Sequence, residues 1–414
     1  MKSQIADSKL SDKGELSYNW AYTHMPALSR TIEKIKEQQP LANRKIGVCL
    51  HITKETSALI MGLKTLGAQV YLCGANPLST QDDIAAYLDS QGIIVYGWRG
   101  QNTSEYIDSI NNVLNSKTDI IMDDGSDVHA LIHSEKKFSE LKIIGGTEET
   151  TTGVTRIMAL EKSGLLRYPI VAVNNAKTKH LFDNRYGTGQ STFDGILRST
   201  SLLIAGKTVV ICGYGWVGKG IATRADGLGA KVIITETNPI NGLEAHADGF
   251  QVMPIIKAAE QGDIFVTATG QKGVIRGEHI NKMKNGAILS NAGHFDIEID
   301  TKYLDQNKKN IIEVRPHVEQ YNMENNKMVY LIGKGRIANL VAAEGHPPEV
   351  MMMSFSNQLL SAVYISENNH KLEKKVYSVP EDIDNSVAQN SLESTGINID
   401  NPTKEQLEYE QSWK

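Results

Sequence analysis

The sequence predicts an α/β protein of two layered units, each a parallel sheet flanked by helices, followed by a short C-terminal segment. Two observations carry this reading. Short β-branched runs alternate with helical stretches along most of the chain, the order that parallel sheets require. A glycine-rich turn, CGYGWVGKG at residues 212–220, stands between a strand and a helix. At 414 residues the chain is also too long for one compact unit.

Taken in order, Met25 to Gln38 has helical apolar spacing, and Lys45 to Leu50 (KIGVCL) reads as a buried strand. Glu55 to Leu66 reads as a helix stopped by Gly67, and Gln69 to Leu72 as the next strand. Further strand-like runs follow at IIVYGW, DIIMDD, KIIGGT and YPIVAVNN, separated by helix-like stretches such as Ser104 to Leu114. A second alternating series starts at TVVIC (208–212) and continues through VIITE, DIFVTAT and GAILSNAG. The join is expected near Asn184 to Ser191, where Tyr186-Gly187-Thr188-Gly189 interrupts the apolar pattern. A return crossing is expected at Gly345-His346-Pro347-Pro348, because paired prolines resist helix and set a rigid turn. The division is then residues 1–184, completed by about 348–385, a second domain of 190–345, and a C-terminal segment of 386–414. That segment is polar, with weak helical character from Lys404 to Trp413.

Bulk properties exclude several classes. A hydrophobic content of 40% and a charged content of 22% describe an ordinary globular protein. A net charge of −5 gives no footprint for nucleic acid or an anionic membrane. Cys49, Cys73 and Cys212 are odd in number, lie beside apolar runs and lack metal-ligand spacing. They read as buried free thiols in a reducing compartment, with no metal site. The polar start, MKSQIADSKLSDKGEL, lacks the apolar core of a signal peptide. No apolar run approaches the roughly 20 residues that span a bilayer. A cytoplasmic location is expected.

The glycine turn has the context of a Rossmann dinucleotide fingerprint. A β-branched strand runs into Gly213-x-Gly215-x-x-Gly218, a helix follows from about Val217 to Leu228, and Gly229 caps it. The next strand, Lys231 to Thr235, ends on Glu236. Gly213 permits the tight turn, Gly215 lets N–H groups approach a pyrophosphate, and Gly218 lets helix and strand pack closely. Glu236 is placed to accept hydrogen bonds from a ribose diol. Thr237 and Asn238 follow it in place of arginine, which favours NAD over NADP. Trp216 occupies a variable position, and its plainest reading is a lid on apolar surface.

Polar chemistry is concentrated at other strand ends, where such folds place ligands. LHITKET carries His51, Thr53, Glu55 and Thr56, and MDDGSDV carries Asp123, Asp124 and Asp127. GTEETTTG adds Glu148, Glu149, Thr150, Thr151 and Thr152, while NNAKTKHLFDNRYGTGQS holds Lys177, Lys179, His180, Asp183 and Asn184. Any one cluster is as readily a solvated loop; four at four strand ends point to a site. A plain NAD-dependent dehydrogenase accounts for the glycine turn but leaves HITKET and DNRYG without work.

LHITKET, STQDD, MDDGSD, GTEETTTGV, TKHLFDNRYG, GYGWVGKG, NAGHFDIEID and GRIANL with GHPPEVMMMSFSNQ occur in a familiar order and spacing. Along nearly its whole length the chain resembles the S-adenosylhomocysteine hydrolases. Its short C-terminus and loop tryptophan are most similar to the archaeal and thermophilic-bacterial branch. The resemblance implies a substrate-binding first domain and an NAD-binding second one. It also implies reversible splitting of S-adenosylhomocysteine into adenosine and homocysteine, with tightly held NAD regenerated each turnover. In that scheme the ribose 3′-hydroxyl is oxidised, the C4′ proton becomes acidic, the C5′ thiolate leaves, water adds and the ketone is reduced.

By resemblance, Lys179 takes the 3′-hydroxyl proton, hydrogen-bonded to Asp183 and oriented by Asn184; a lysine can do this if desolvation and its surroundings lower its pKa. Asp124 takes the C4′ proton, and His51 handles the leaving thiolate and incoming water, with His294 close by. Glu149 is expected on the ribose hydroxyls, and Thr53, Glu55, Thr56 and His346 around the adenine. An ionised glutamate accepts hydrogen bonds and cannot donate them, so Glu55 favours adenine; hydrolysis of S-inosylhomocysteine is the alternative. NAD contacts carried over are Thr150, Thr151, Thr152, the Gly213–Gly218 turn with Trp216 and Val217, Glu236, Asn241, Asn291, His294 and Asn339. Thr188 stands where many relatives have cysteine, and Asn175 replaces a common aspartate. The chain stops at Gln411-Ser412-Trp413-Lys414, without the terminal lysine and tyrosine that reach a neighbouring subunit's NAD in longer relatives. A homotetramer is the family expectation.

Overall fold

The computed structural model describes residues 2–413, which form two sheets flanked by helices. The first series of strands is β1 (Lys45–Cys49), β2 (Gln69–Cys73), β3 (Ile94–Tyr96), β4 (Ile120–Asp123), β5 (Gly145–Glu148) and β6 (Ile170–Ala172). The second is β7 (Thr208–Cys212), β8 (Lys231–Thr235), β9 (Gln251–Val252), β10 (Ile264–Thr267) and β11 (Ala287–Asn291). It continues through β12 (Lys308–Arg315), β13 (Val318–Met323) and β14 (Met328–Ile332). A last strand, β15 (Val376–Ser378), returns to the first sheet beside β6.

The first sheet is parallel throughout, in the order β15-β6-β5-β4-β1-β2-β3. The second has the order β12-β13-β14-β11-β10-β7-β8-β9 and is mixed, which corrects the expectation of a parallel sheet. Its β12, β13 and β14 run antiparallel because their connections are tight turns, too short for a crossover. His317 and Asn326 adopt positive φ in those turns. The central strands are rich in Val and Ile and buried on both faces, as helix-covered parallel strands must be.

Strand order fixes where ligands can sit. In the first sheet β1 lies between β2 and β4, and in the second β7 lies between β8 and β10. Each pair of flanking connections departs in opposite directions and leaves a crevice at the carboxyl ends. His51 and Asp124 follow β1 and β4; Gly213 and Thr269 follow β7 and β10.

Four local expectations are corrected. The strand expected in KIIGGT begins three residues later, at Gly145, where the absent side chain leaves room for Ile365 of the helix Pro348–Asn368. Pro348 does not end helical structure but starts that 21-residue helix, since a first-turn proline loses no hydrogen bond. The join near Asn184 to Ser191 is no break: Lys177–Lys179, a π-helical stretch His180–Gly187 and the helix Thr188–Thr200 form one helical run. The boundary at 386 falls inside the helix Glu381–Ser394, which packs on Pro26–Ile35 through Asn390 to Thr31 (3.2 Å) and Arg30 to Glu393 (2.7 Å).

Glycines near the join serve packing. The helix Trp216–Gly227 crosses the 177–200 run so closely that a Cβ on Gly220 would run into the Arg185 carbonyl oxygen. Cys49, Cys73 and Cys212 are buried and unpaired. Gly220→Ala is expected to lower stability by about 1–3 kcal/mol through overpacking. Gly227→Ala is the control in the same helix, where an added Cβ meets no described atom within 4 Å. It should leave stability unchanged or raise it by up to about 1 kcal/mol. Denaturant melts of the two variants compare them, and equal midpoints would refute the close-contact reading.

Candidate active site between the two sheets

The carboxyl ends of both sheets open onto one cavity of about 1350 Å³. That exceeds the roughly 300–1,000 Å³ of a typical small-molecule pocket and suits a dinucleotide together with a second ligand. From the first sheet His51, Thr53, Glu55, Thr56, Asp124, Glu149 and Thr150 to Thr152 line it. Lys179, Asp183 and Asn184 enter from the helical run, and His346 from the return crossing. The second sheet contributes Gly213, Gly215, Trp216, Val217, Glu236, Asn241 and His294.

Three expected contacts do not reach the cavity wall. Gly218 packs behind the turn against the Gly213 carbonyl. Asn291 spends its amide nitrogen on the carbonyls of Gly293, Phe295 and Gly335 and its oxygen on Gly293 N and Thr267 Oγ1. Asn339 Nδ2 bonds Ser191 Oγ and His346 Nε2. Asn291 is spent on its own loop, whereas Asn339 Oδ1 is buried with no hydrogen-bond partner among the described residues and keeps a free acceptor.

One acid–base cluster gathers at the β1/β4 crevice. Ser79 Oγ donates to the Asn76 carbonyl (3.1 Å), so it accepts from His51 Nδ1 at 2.7 Å. The other ring nitrogen, Nε2, then faces Asp124 Oδ2 at 3.4 Å as an acceptor. His294 Nδ1 lies 3.6 Å from Asp124 Oδ1. Burial holds the His51 imidazole down at about 4, although Asp124 pulls the other way. Donor atoms of His51, Asp124 and His294 lie within 4.8 Å of one another, a spacing a metal ion can bridge.

The Asp124 loop is held from behind. Glu148 accepts from Gly125 N (2.9 Å), Ser126 Oγ (2.7 Å) and Thr150 N (2.9 Å), while Asp123 accepts from the backbone of Asp124 and His129. Burial pushes both acids up, Asp123 to about 7. With His129 they form a second compact cluster whose polar atoms are all committed to local structure.

The second functional group centres on Lys179. Its Nζ donates to Asn184 Oδ1 at 2.8 Å and lies 3.4 Å from Asp183 Oδ2 and 3.7 Å from Glu149 Oε1. Asp183 is met as an ion pair at 3.4 Å, and the shorter hydrogen bond goes to Asn184. The condition of a lowered lysine pKa is not met by the protein groups alone. Burial alone would lower it, but Asp183, Glu149 and Asp124 outweigh burial and raise it. Asp183 is pushed up by burial, yet Lys179 and His346 hold it well below the usual carboxylate range. Glu149 accepts from Ser354 and from Gln358 (2.6 Å), and burial raises it to about 7 against the pull of Lys179.

His346 Nδ1 lies 2.8 Å from Asp183 Oδ1. Its Nε2 lies 3.0 Å from Asn339 Nδ2 and 3.2 Å from Thr188 Oγ1. Both ring nitrogens are thus engaged, and only its carbon edge or face is left for the expected adenine contact.

The residues at β7 fit NAD. Gly213 has φ 102°, and a Cβ there would sit 2.8 Å from the Ala268 carbonyl oxygen. Gly215 fronts open space at the N-terminus of the helix Trp216–Gly227, an anion-binding position. Glu236 accepts from the N–H groups of Thr237 (2.6 Å), Tyr214 (2.7 Å) and Asn238 (3.0 Å). Burial would raise it, but these bonds keep it below its ordinary range. Trp216 is more than a lid: its ring lies 5.5 Å from His180 and carries Lys219 Nζ 4.6 Å above it.

Sequence reasoning missed Ser79, Ser354 and Gln358. All three lie in quoted motifs, yet no local pattern tells that Ser79 would reach His51 or that residues 354 and 358 would reach Glu149.

Comparison with known proteins agrees with this geometry. The family model described as "S-adenosyl-L-homocysteine hydrolase" matches residues 2–144, and that described as its NAD binding domain matches residues 184–345. The adenosylhomocysteinase of Sulfurisphaera tokodaii is 54% identical over 414 residues, covering 100% of this chain and 99% of that protein. The adenosylhomocysteinase of Saccharolobus solfataricus is 55% identical, with 100% and 99% covered. The S-inosyl-L-homocysteine hydrolase of Methanocaldococcus jannaschii is 53% identical, with 99% of each chain covered. With a cavity built from both sheets and this similarity end to end, the chain belongs to the S-adenosyl-L-homocysteine hydrolase family of NAD-dependent enzymes.

Proposed function

We propose that the protein reversibly hydrolyses S-adenosyl-L-homocysteine to adenosine and homocysteine. The carrying observation is that the Lys179 cluster, the His51–Asp124–His294 cluster and the glycine turn line one cavity. NAD, when bound, supplies a transient oxidation at the ribose C3′ and its reversal. The protein residues then have proton work at three positions. Lys179 takes the 3′-hydroxyl proton in its neutral form, which its carboxylate neighbours by themselves disfavour, and Glu149 Oε1 at 3.7 Å is a carboxyl placed to receive the lysine proton. Asp124 takes the C4′ proton, and His51 Nε2 relays a proton between Asp124 and the group at C5′. Asp183 stays anionic and holds Lys179 against Asn184 and the ribose. Glu55 favours a 6-amino purine, so the adenosyl substrate is preferred over the inosyl one.

The chain is read as a substrate lobe of residues 1–184, completed from 348 to about 394, and an NAD lobe of 190–345. Association with further copies is supported by exposed Ile311, Ile312 and Val314 on the edge strand β12, and a homotetramer is the family expectation. Among the described residues no helix is long and apolar enough to cross a membrane, and a cytoplasmic location accords with the buried free thiols.

Incubation with S-adenosylhomocysteine is expected to release homocysteine thiol without net accumulation of reduced nicotinamide. No thiol from either the adenosyl or the inosyl compound would refute the reading. Lys179→Ala should abolish reduction of the bound cofactor. Asp124→Asn should still permit that reduction but slow C4′ proton exchange by about 10²–10⁴-fold.

Cofactor reduction should also depend on pH. Glu149 must be ionised to receive the lysine proton, so the rate should fall as pH drops through about 7, and Glu149→Gln should remove that dependence together with most of the rate. A single-turnover pH series reads this, and a wild-type rate flat through that range refutes it. Light scattering tests the assembly, with a monomer at all concentrations as the contrary result.

A further inference from the structure

The helix Lys54–Thr65 begins at the rim of the cavity, capped by Thr53. Glu55, in its first turn, is 2% exposed and lines the cavity. Lys54 faces the other way, into a second, polar cavity of about 490 Å³. From there its Nζ reaches back to 3.3 Å from Glu55 Oε1 and 2.9 Å from Glu344 Oε2. The Lys54 side chain is only 13% exposed. Glu344 stands two residues before His346, and Arg198 Nη1 lies 3.6 Å from its Oε1.

A buried carboxyl that faces a ligand is an acceptor while ionised and a donor once protonated. A 6-amino purine matches the first state, and a 6-oxo purine matches the second. We propose that Lys54, braced by Glu344, sets the base preference of the enzyme by keeping Glu55 in its acceptor state. This rests on the reading of Glu55 as the purine-facing group. Lys54 is otherwise remote from the chemistry and acts as a positioning residue behind the pocket wall.

The charges around Glu55 agree. Burial pushes its carboxyl up, and the Lys54 ammonium is the largest opposing influence, followed by hydrogen bonds that include the Thr53 hydroxyl. Burial pulls the Lys54 ammonium down, but Glu55 and Glu344 outweigh it and hold the group above its ordinary value. Arg198 faces Glu344 from the 177–200 run, and His346, which lines the same cavity, is committed to Asp183. Without Lys54 the Glu55 carboxyl rises further, and its neutral form becomes populated at higher pH.

The test measures kcat/KM of the full-length, NAD-loaded protein for S-adenosyl- and S-inosylhomocysteine across pH. Wild type, Lys54→Met, Lys54→Arg and Glu344→Gln are compared. In Lys54→Met the adenosyl-to-inosyl ratio is expected to fall about tenfold or more at neutral pH, the size of one charged hydrogen bond turned mismatched. The pH below which the ratio declines should move upward, Lys54→Arg should restore both, and Glu344→Gln should shift the ratio in the same direction as Lys54→Met. Glu344 is largely exposed, so that variant tests the brace without disturbing packing. An unchanged ratio and pH profile in Lys54→Met and Glu344→Gln would overturn the role of Lys54 alone. Thiol release from neither substrate by wild type would overturn the hydrolase reading itself, and the proposal with it.

Discussion

A lysine ammonium buried among protein atoms must be paired, because an unpaired charge there costs several kcal/mol. Much of the arrangement around Lys179 follows from that constraint. Asp183, one helical turn on, and Asn184 beside it reach Nζ through the π-helical stretch that starts at His180. Glu149 arrives from the end of β5, and its own burial is met by Ser354 and Gln358 of the helix Pro348–Asn368. The C-terminal third of the chain therefore has to return to the first sheet. The same helix supplies Phe355, Leu359 and Ile365 to that sheet's core, so pairing the charge and completing the core are one event.

The two sheets meet where side chains are smallest. Gly220 lies against the Arg185 carbonyl, and a Cβ on Gly189 would sit 2.6 Å from the Gly220 carbonyl oxygen. The helix that follows the glycine turn thus rests directly on the run carrying Lys179, Asp183 and Asn184. Trp216 against His180 adds an aromatic contact at the same junction. Backbone-to-backbone contact leaves little slack, so a shift of the glycine turn is felt by the lysine. This gives Gly187 and Gly189 a packing role where their sequence context had read as a break in the chain.

Legibility from sequence followed the range of the interactions. The glycine turn, its helix and Glu236 lie within 25 residues, and motif spacing alone located them. Strand-end clusters were legible as clusters, because β-branched runs mark where strands stop. Partners were not: Ser354 and Gln358 lie more than 200 residues from Glu149, and Glu344 lies 290 residues from Lys54. Asn291 shows the opposite case. Its amide is consumed by Gly293, Phe295, Gly335 and Thr267, and motif membership carries no information on where a side chain points. The lysine pKa stayed hidden for a related reason, since burial was legible but the number of carboxylates sharing it was not.

Two histidine–aspartate pairs in the cavity are built with opposite tautomers. Ser79 is committed as a donor to Asn76, so His51 carries its proton on Nδ1 and turns an empty Nε2 toward Asp124. Asn339 Nδ2 donates to His346 Nε2, so that ring carries its proton on Nδ1 and turns it toward Asp183. The first pair has room for one more proton and can pass it on. The second has none and can only hold Asp183 as an anion. A residue whose proton must move and a residue whose charge must stay are thus distinguished by the neighbour behind each imidazole. Thr188, within reach of His346 Nε2, belongs to the holding pair, which gives a hydroxyl at that position a hydrogen-bonding task independent of any thiol chemistry.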